Sequence, residues 1–296
     1  MGTTAVPAIR ARGPAIITGA NGGMGRACAR QLGVTTDLVL TDASASLEAY
    51  ARELELEGYT VRAAIVGDFC SAEVIDALTL QASEGFSALV HTCGLPPSAD
   101  WRLIFNVNYV ATVRLIDALT PFVREDTAAV LIASVAGHLS PVIAEVEAIL
   151  ADPFSPTLLD DLEPALRQTL GAASERTLGT LSYAISKKKV IDLCESRAAP
   201  WGAKGGRIIS VSPGMIYTPM GRHEASLDEA AEAQVKSAPV GRWGTAAEIA
   251  VAASFLLSPA ARFITGSDLR IDGGAMGAYR ASGSKPWIDA LRERMS

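Results

Sequence analysis

Cysteine is scarce in this chain, and the little there is forms no pattern. Cys28, Cys70, Cys93 and Cys194 are scattered through 296 residues without a C-x-x-C pair, which argues against a thiolate-held metal and a disulfide framework. A reduced, cytoplasmic protein with no bound metal is the expectation. Basic runs are missing too, and a net charge of −6 offers nucleic acid no electrostatic footprint. No stretch reads as the roughly 20 consecutive apolar residues that span a bilayer. Residues 1–13 carry Arg10 and Arg12 but no apolar core ending in a cleavage site, so they read as a lead-in and not as a secretory signal. Linkers, internal repeats and low-complexity tracts are also absent, which leaves one domain, expected over residues 14–274 with a tail at 275–296. Of the usual partners, a small molecule remains.

What the chain does contain is alternation. Short apolar runs at 15–18, 38–42, 60–66, 88–93, 129–133, 207–211 and 268–271 read as strands. Between them, 24–32, 46–57, 72–82, 104–122, a segment from near Tyr183 to about Arg197, and 246–257 read as helices. Seven strands interleaved with helices predict an α/β protein with a doubly wound, seven-stranded parallel sheet of the Rossmann type. Segment 145–176 breaks the rhythm. It holds seven acids against Arg167 and Arg176, nearly all of the chain's excess negative charge. Ser155-Pro156 reads as a helix start, and Leu158, Leu159, Leu162, Leu166 and Leu170 follow at helical spacing. That is a helical insertion with an acidic outer face.

Thr18-Gly19-Ala20-Asn21-Gly22-Gly23-Met24-Gly25 follows the first strand and opens a helix. A phosphate-binding turn needs that setting: glycines turn tightly and let backbone N–H groups approach a pyrophosphate at the helix N-terminus. Asp42 ends the second strand, a little over 20 residues on. A carboxylate there accepts from both hydroxyls of an adenine ribose and repels a 2′-phosphate, which favours NAD over NADP. Its other reading is an N-cap for the next helix. Tyr183 and Lys187 stand four residues apart, on one face if the segment is helical. An ammonium there would pull the phenol down from its usual pKa of about 10 and fit it for acid–base work. Ser134, at the end of the fifth strand, could bond a substrate oxygen; alone it would read as a strand-end cap.

These motifs, with Val107-Asn108-Tyr109, Pro213-Gly214, Thr218 and Asp272-Gly273-Gly274 in order, give a chain that resembles the short-chain dehydrogenase/reductases from about Ala15 to Gly274. Within that family Cys93-Gly94-Leu95-Pro96 and the insertion are similar to the bacterial 3α-hydroxysteroid dehydrogenase/carbonyl reductase branch. The resemblance implies Tyr183 as acid/base, Ser134 as the group polarising the substrate oxygen, and Lys187 as the lowerer of the tyrosine pKa. It implies Asn108 as holder of a relay water. The cofactor site would comprise Gly19, Asn21, Gly23, Met24, Gly25, Asp42, Asp68, Phe69, Cys93, Gly94, Pro213, Gly214, Ile216 and Thr218, besides Tyr183 and Lys187, with Asp68 near the adenine. NAD is the implied cofactor and a homo-oligomer, dimer or tetramer, the implied assembly.

Two departures stand out. The family's Asn-Asn-Ala-Gly reads His91-Thr92-Cys93-Gly94, so Thr92 is expected to cover part of the lost hydrogen bonding, with His91 packed and Cys93 an inert thiol. Ser134 and Tyr183 are also separated by 48 residues, where the family more often has about a dozen. The insertion is a surface excursion, a block to the usual tetramer that leaves a dimer, or part of a substrate lid. Leu139, Pro141, Val142, Met215, Ile216, Tyr217 and Met220 are expected to border the nicotinamide, favouring an apolar alicyclic alcohol such as a steroid or terpenoid. A silent dinucleotide sensor, or an epimerase or dehydratase on the same scaffold, are the competing functions. The tail, with Trp287, Ile288 and Leu291, caps the pocket or meets another subunit.

Overall fold

Short runs of apolar residues make strands that need no solvated face, as a parallel sheet covered on both sides requires. The computed structural model describes residues 13–171, 174–227, 234–236, 238–283 and 288–289. Residues 1–12 of the lead-in and half of the tail, including Trp287 and Leu291, lie outside the described residues. The strands are β1 (Ala15–Thr18), β2 (Leu38–Asp42), β3 (Val61–Val66), β4 (Ala88–His91), β5 (Ala128–Ile132), β6 (Arg207–Pro213) and β7 (Asp268–Ile271). All pair in parallel, in the order β3-β2-β1-β4-β5-β6-β7. The expected sheet is therefore the observed one. Strand order reverses between β1 and β4, and an open α/β sheet places its ligand crevice at the carboxyl ends of such strands.

The described helices are α1 (Gly23–Gly33), α2 (Leu47–Leu56), α3 (Ala72–Ala82), α4 (Trp101–Phe105), α5 (Ala111–Leu119), α6 (Ala144–Leu150), α7 (Leu158–Leu170), α8 (Glu175–Gly202), α9 (Pro219–Leu227), α10 (Ala246–Leu257) and α11 (Ala275–Ala281). Two cores flank the sheet. On one face Cys28, Tyr50, Leu54 and Ile249 meet Ile17, Leu40 and Val90. On the other, Leu78, Phe105, Leu115, Leu181 and Trp201 meet Ile16, Leu89 and Leu131.

Several boundaries differ from the sequence reading. The helix expected over 104–122 starts at Trp101, because the Asp100 carboxylate accepts from the Arg102 and Leu103 N–H groups at 2.9 and 3.2 Å. The run Trp101–Phe122 is long and apolar enough to cross a bilayer, contrary to the expectation that no stretch would be. Its Trp101, Ile104, Phe105, Leu115 and Ile116 are fully buried in the protein's own core, so it is a core helix. The helix expected near Tyr183 begins at Glu175, where Ser174 accepts from Thr177 N–H, and runs on to Gly202. Ser155 does not start a helix. It turns the chain by accepting from Thr157 N–H at 3.3 Å, and α7 begins at Leu158.

The insertion is no solvated excursion. Val146, Leu150, Leu158, Leu162, Leu166 and Leu170 join the core cluster that contains Leu178, Leu181 and Ile185 of α8. Glu147 accepts from Lys189 at 2.6 Å, Glu163 pairs with Arg102, and the Tyr109 hydroxyl donates to Leu150 C=O at 2.8 Å. Asp160 and Asp161 stay exposed, the acidic outer face the spacing predicts.

Candidate active site

The glycine turn is locked by contacts that only glycine permits. Gly19 has φ +65°, and a Cβ there would come within 2.8 Å of Cys93 N. At Gly25 a Cβ would fall 2.1 Å from the Gly19 carbonyl oxygen, so α1 packs directly on the turn. Asn21 N–H donates to Asp42 Oδ2 at 2.9 Å, and Asn21 Nδ2 donates to Ser46 Oγ at 2.6 Å. Thr92 Oγ1 donates to the Thr18 and Gly19 carbonyls at 2.8 and 3.1 Å, the compensation expected for the missing asparagine. The start of α1, after Gly22, carries no side-chain cap. An uncapped helix N-terminus framed by glycines suits a pyrophosphate.

Ser134 leaves β5 with extended backbone and caps a short 3-10 turn, Val135–Leu139, its Oγ accepting from Ala136 N–H at 3.2 Å. That turn lies against α8 so closely that a Cβ at Gly137 would meet the Lys187 carbonyl carbon at 2.9 Å. The packing brings into one cleft two side chains separated by 48 residues of sequence, Ser134 and Tyr183, with the Ser134 hydroxyl near enough to pull the phenol's pKa down. One turn along α8, Lys187 Nζ stands 5.8 Å from the Tyr183 ring centre and donates to Ile132 C=O at 3.0 Å.

The electrostatics depart from the expectation that Lys187 lowers the tyrosine. Burial pushes the Tyr183 phenol above its ordinary pKa, the Ser134 hydrogen bond pulls it down, and the Glu224 carboxylate adds to the rise. Lys187 is pushed down to about 8 by its own burial.

Asn108 lies in a π-helical segment, Asn106–Val110, between α4 and α5, an irregularity that often marks functional positions. Its Oδ1 accepts from Leu95 N–H at 2.7 Å, and its Nδ2 donates to Leu95 C=O at 3.1 Å and to Ser186 Oγ at 3.3 Å. A Cβ at Gly94 would sit 3.2 Å from both Asn108 Oδ1 and Lys187 Nζ. His91 is a buried strap, as expected. It meets Thr18 Oγ1 through Nδ1 at 2.7 Å and Thr112 Oγ1 through Nε2 at 2.9 Å. Thr112 spends its proton on Asn108 C=O at 3.0 Å, so it accepts from a neutral, Nε2-protonated ring. The Cys93 thiol is pushed up to about 12, mainly by burial, and stays a thiol.

A cleft of about 540 Å³ opens over these groups. Gly19, Asn21, Gly23, Met24, Gly94, Ser134, Tyr183, Lys187, Pro213, Gly214, Ile216 and Thr218 all line it. Gly25, Asp42, Cys93 and Asn108 support it from behind. Asp68 is exposed and bonded to Cys70 N–H at 2.9 Å. Phe69 is buried in the core, its ring centre 5.1 Å from that of His91, which leaves only its main chain to meet a cofactor. Leu139, Met215 and Met220 border the cleft as expected. Pro141 and Val142 do not, and Val142 is 81% exposed. Tyr217 faces out too, edge-on to Trp243 with 5.7 Å between ring centres. No lining residue comes from 145–176 among the described residues. Sequence reasoning missed Pro97, Thr180, Glu224 and Gln234 in the lining; none belongs to a motif, and only the fold brings them there.

The fold and the cleft define a dinucleotide-binding enzyme built to move a proton beside a hydride carrier. A short chain dehydrogenase profile matches residues 14–145, and an enoyl-(acyl carrier protein) reductase profile matches residues 169–276. The matches leave most of the insertion between them. A 3-alpha-hydroxysteroid dehydrogenase/carbonyl reductase of Comamonas testosteroni is 31% identical over 83% of this chain and 93% of its own. A galactitol 2-dehydrogenase (L-tagatose-forming) of Cereibacter sphaeroides is 30% identical over 88% and 93%. The structure of the 3-alpha-hydroxysteroid dehydrogenase from Pseudomonas sp. B-0831 complexed with NADH aligns with a TM-score of 0.71 at 27% identity, covering 92% of this chain and 99% of that one. The chain belongs to the short-chain dehydrogenase/reductase family. It is an oxidoreductase of alcohols and ketones that uses a nicotinamide dinucleotide.

Proposed function

We propose that this enzyme is an NAD(H)-dependent dehydrogenase that interconverts a secondary alcohol and a ketone on an apolar alicyclic substrate, such as a steroid or terpenoid alcohol. The observation that carries the reading is that Ser134 and Tyr183 line one cleft together with the glycine turn and Lys187. When bound, the cofactor takes up or gives back the hydride. Tyr183 takes the hydroxyl proton in oxidation and returns it in reduction, Ser134 holds the reacting oxygen, and Lys187 and Asn108 line the proton's way out past Gly94. Leu95, Pro96, Leu139, Met215 and Met220 on the cleft walls favour an apolar substrate body, and the hydroxysteroid relatives point the same way.

NAD is favoured over NADP by Asp42, whose carboxylate sits beside the turn with its Oδ1 accepting from Ser44 N–H at 2.9 Å and would meet a 2′-phosphate with like charge. NADH complexed in the Pseudomonas relative agrees. Four free cysteines support a reducing compartment such as the cytoplasm. The insertion, folded onto α8 by its own leucines, supports a homodimer over a tetramer. Formation of NADH from NAD, followed by absorbance with cyclic secondary alcohols, tests the reading. Turnover is expected with NAD and at least about tenfold less with NADP. No oxidation of any such alcohol, or a preference for NADP, would count against it.

A further inference from the structure

The cleft holds one charged group that the reaction does not use. Among the described residues lining it, only Lys187 and Glu224 carry charge. Lys187 is buried and bonded to Ile132 C=O. Glu224, on α9, makes no ion pair among the described residues. Its Oε1 accepts from Ser98 Oγ at 2.5 Å, across 126 positions of sequence. That bond ties α9 to the loop after β4, on the opposite lip of the cleft, and fixes the carboxylate in place. Oε2 has no hydrogen-bond partner among the described residues.

A second polar group shares the bias. Thr180 lines the same cleft one turn before Tyr183 on α8, and its hydroxyl proton is spent on Arg176 C=O at 3.0 Å. Thr180 therefore offers lone pairs only, as Glu224 does. The two present acceptors and no donor, so a matching substrate must bring the hydrogen. Glu224 and Tyr183 line the same cleft, and the carboxylate's charge disfavours the phenolate.

We propose that Glu224 selects the substrate: its carboxylate accepts a hydrogen bond from a second hydroxyl on an uncharged cyclic alcohol and turns away substrates that carry negative charge. The inference rests on the alcohol chemistry proposed above and narrows it to diols and hydroxylated ring systems. It excludes carboxylates, phosphates and acyl thioesters with anionic carriers, because a half-buried carboxylate without an ion pair in a largely apolar cleft repels an anion, while its free oxygen can accept from a second hydroxyl.

The test compares cyclohexanol, trans-1,4-cyclohexanediol and trans-4-hydroxycyclohexanecarboxylate as substrates of the whole enzyme with NAD. Ratios of kcat/KM within one preparation are independent of the folded fraction, so a poorly folding variant still reports. In the wild type the diol should exceed cyclohexanol roughly tenfold, and the carboxylate should fall roughly tenfold or more below it. Glu224→Gln keeps an acceptor without the charge, so the diol preference should persist while the carboxylate penalty shrinks to about threefold or less. Glu224→Leu should erase both. Unchanged ratios in Glu224→Leu, or a wild type that prefers the carboxylate, overturn the assignment of Glu224 while leaving the alcohol chemistry intact. A wild type that oxidises none of the three with NAD or NADP overturns the chemistry itself, and this inference with it.

Discussion

Thr92 holds Gly19 in place: its hydroxyl donates to the Gly19 carbonyl at 3.1 Å and to that of Thr18 at 2.8 Å. The bonds brace the turn at its positive-φ glycine. Thr92→Val keeps the shape and removes the donor. A net hydrogen bond of about 1 kcal/mol corresponds to roughly fivefold in affinity, so NADH should bind about five- to tenfold more weakly, with a smaller change in kcat. Fluorescence titration of NADH checks it, and an unchanged affinity would show that the turn is braced elsewhere.

Removing the Tyr183 proton carrier separates binding from chemistry. Tyr183→Phe should bind NADH as the wild type does, yet lose about 10²- to 10⁴-fold in kcat. Ser134→Ala should lose a comparable factor. If either variant kept near wild-type turnover, the proton would have to travel by another residue.

The pH profile carries the sign of the tyrosine shift. Oxidation needs phenolate, and a phenol raised by burial and by Glu224 ionises only at alkaline pH. Oxidation should therefore climb with pH well past neutrality, while reduction, which needs the phenol, holds up to the same limb. Glu224→Gln removes one upward push, so its oxidation limb should move to lower pH. A limb that stays put, measured as kcat/KM against pH in both directions, would remove Glu224 from the neighbourhood of the phenol.

His91 makes stability fall in acid. Burial, with the Lys187 charge behind it, pushes the ring down to about 3 in the folded protein, against about 6.5 unfolded. The folded-state value is depressed, so the contribution is complete above about pH 6.5 and drains away as pH falls towards 3, by up to about 1.4 kcal/mol per pH unit. His91→Gln should unfold more easily at pH 7.5 yet show a flatter loss between pH 7.5 and 5 in urea titrations. Parallel slopes would falsify the buried neutral ring.

The insertion should behave as core. Leu166 is fully buried, so Leu166→Ala should cost about 2–5 kcal/mol in unfolding free energy. A solvated excursion would lose under about 0.5 kcal/mol. Light scattering on the wild type gives the mass that tests the dimer.

Much of this was legible in the sequence, because the central strands β1, β4 and β5 are short, almost wholly apolar runs. The convergence of Ser134 with Tyr183 was legible through motif order, and the role of Thr92 through a departure from it. What was hidden had physical reasons. α8 began early because Ser174 caps it, a signal lost inside an irregular acidic stretch. Periodicity shows neither a π-helical turn at Asn106–Val110 nor where Val142 and Tyr217 point once their loops fold. Glu224 sits in a helix with no motif around it, and only the Ser98 bond across the cleft gives it a place. Spacing reveals the lysine beside the phenol but not the burial that raises it or the Glu224 charge that adds to the rise.

The 48 residues from Ser134 to Tyr183 carry a lesson about spacers. Lengthening a connection from about a dozen residues to four times that adds only about 1 kcal/mol of closure entropy, at about 0.6 kcal/mol per doubling. Leucines folded back against the long helix offset that cost many times over. Because the two reactive oxygens are held by a strand end and a helix face, the stretch joining them is free to be rebuilt as architecture, and successive variants of it can reshape the outside of the molecule without touching the chemistry within.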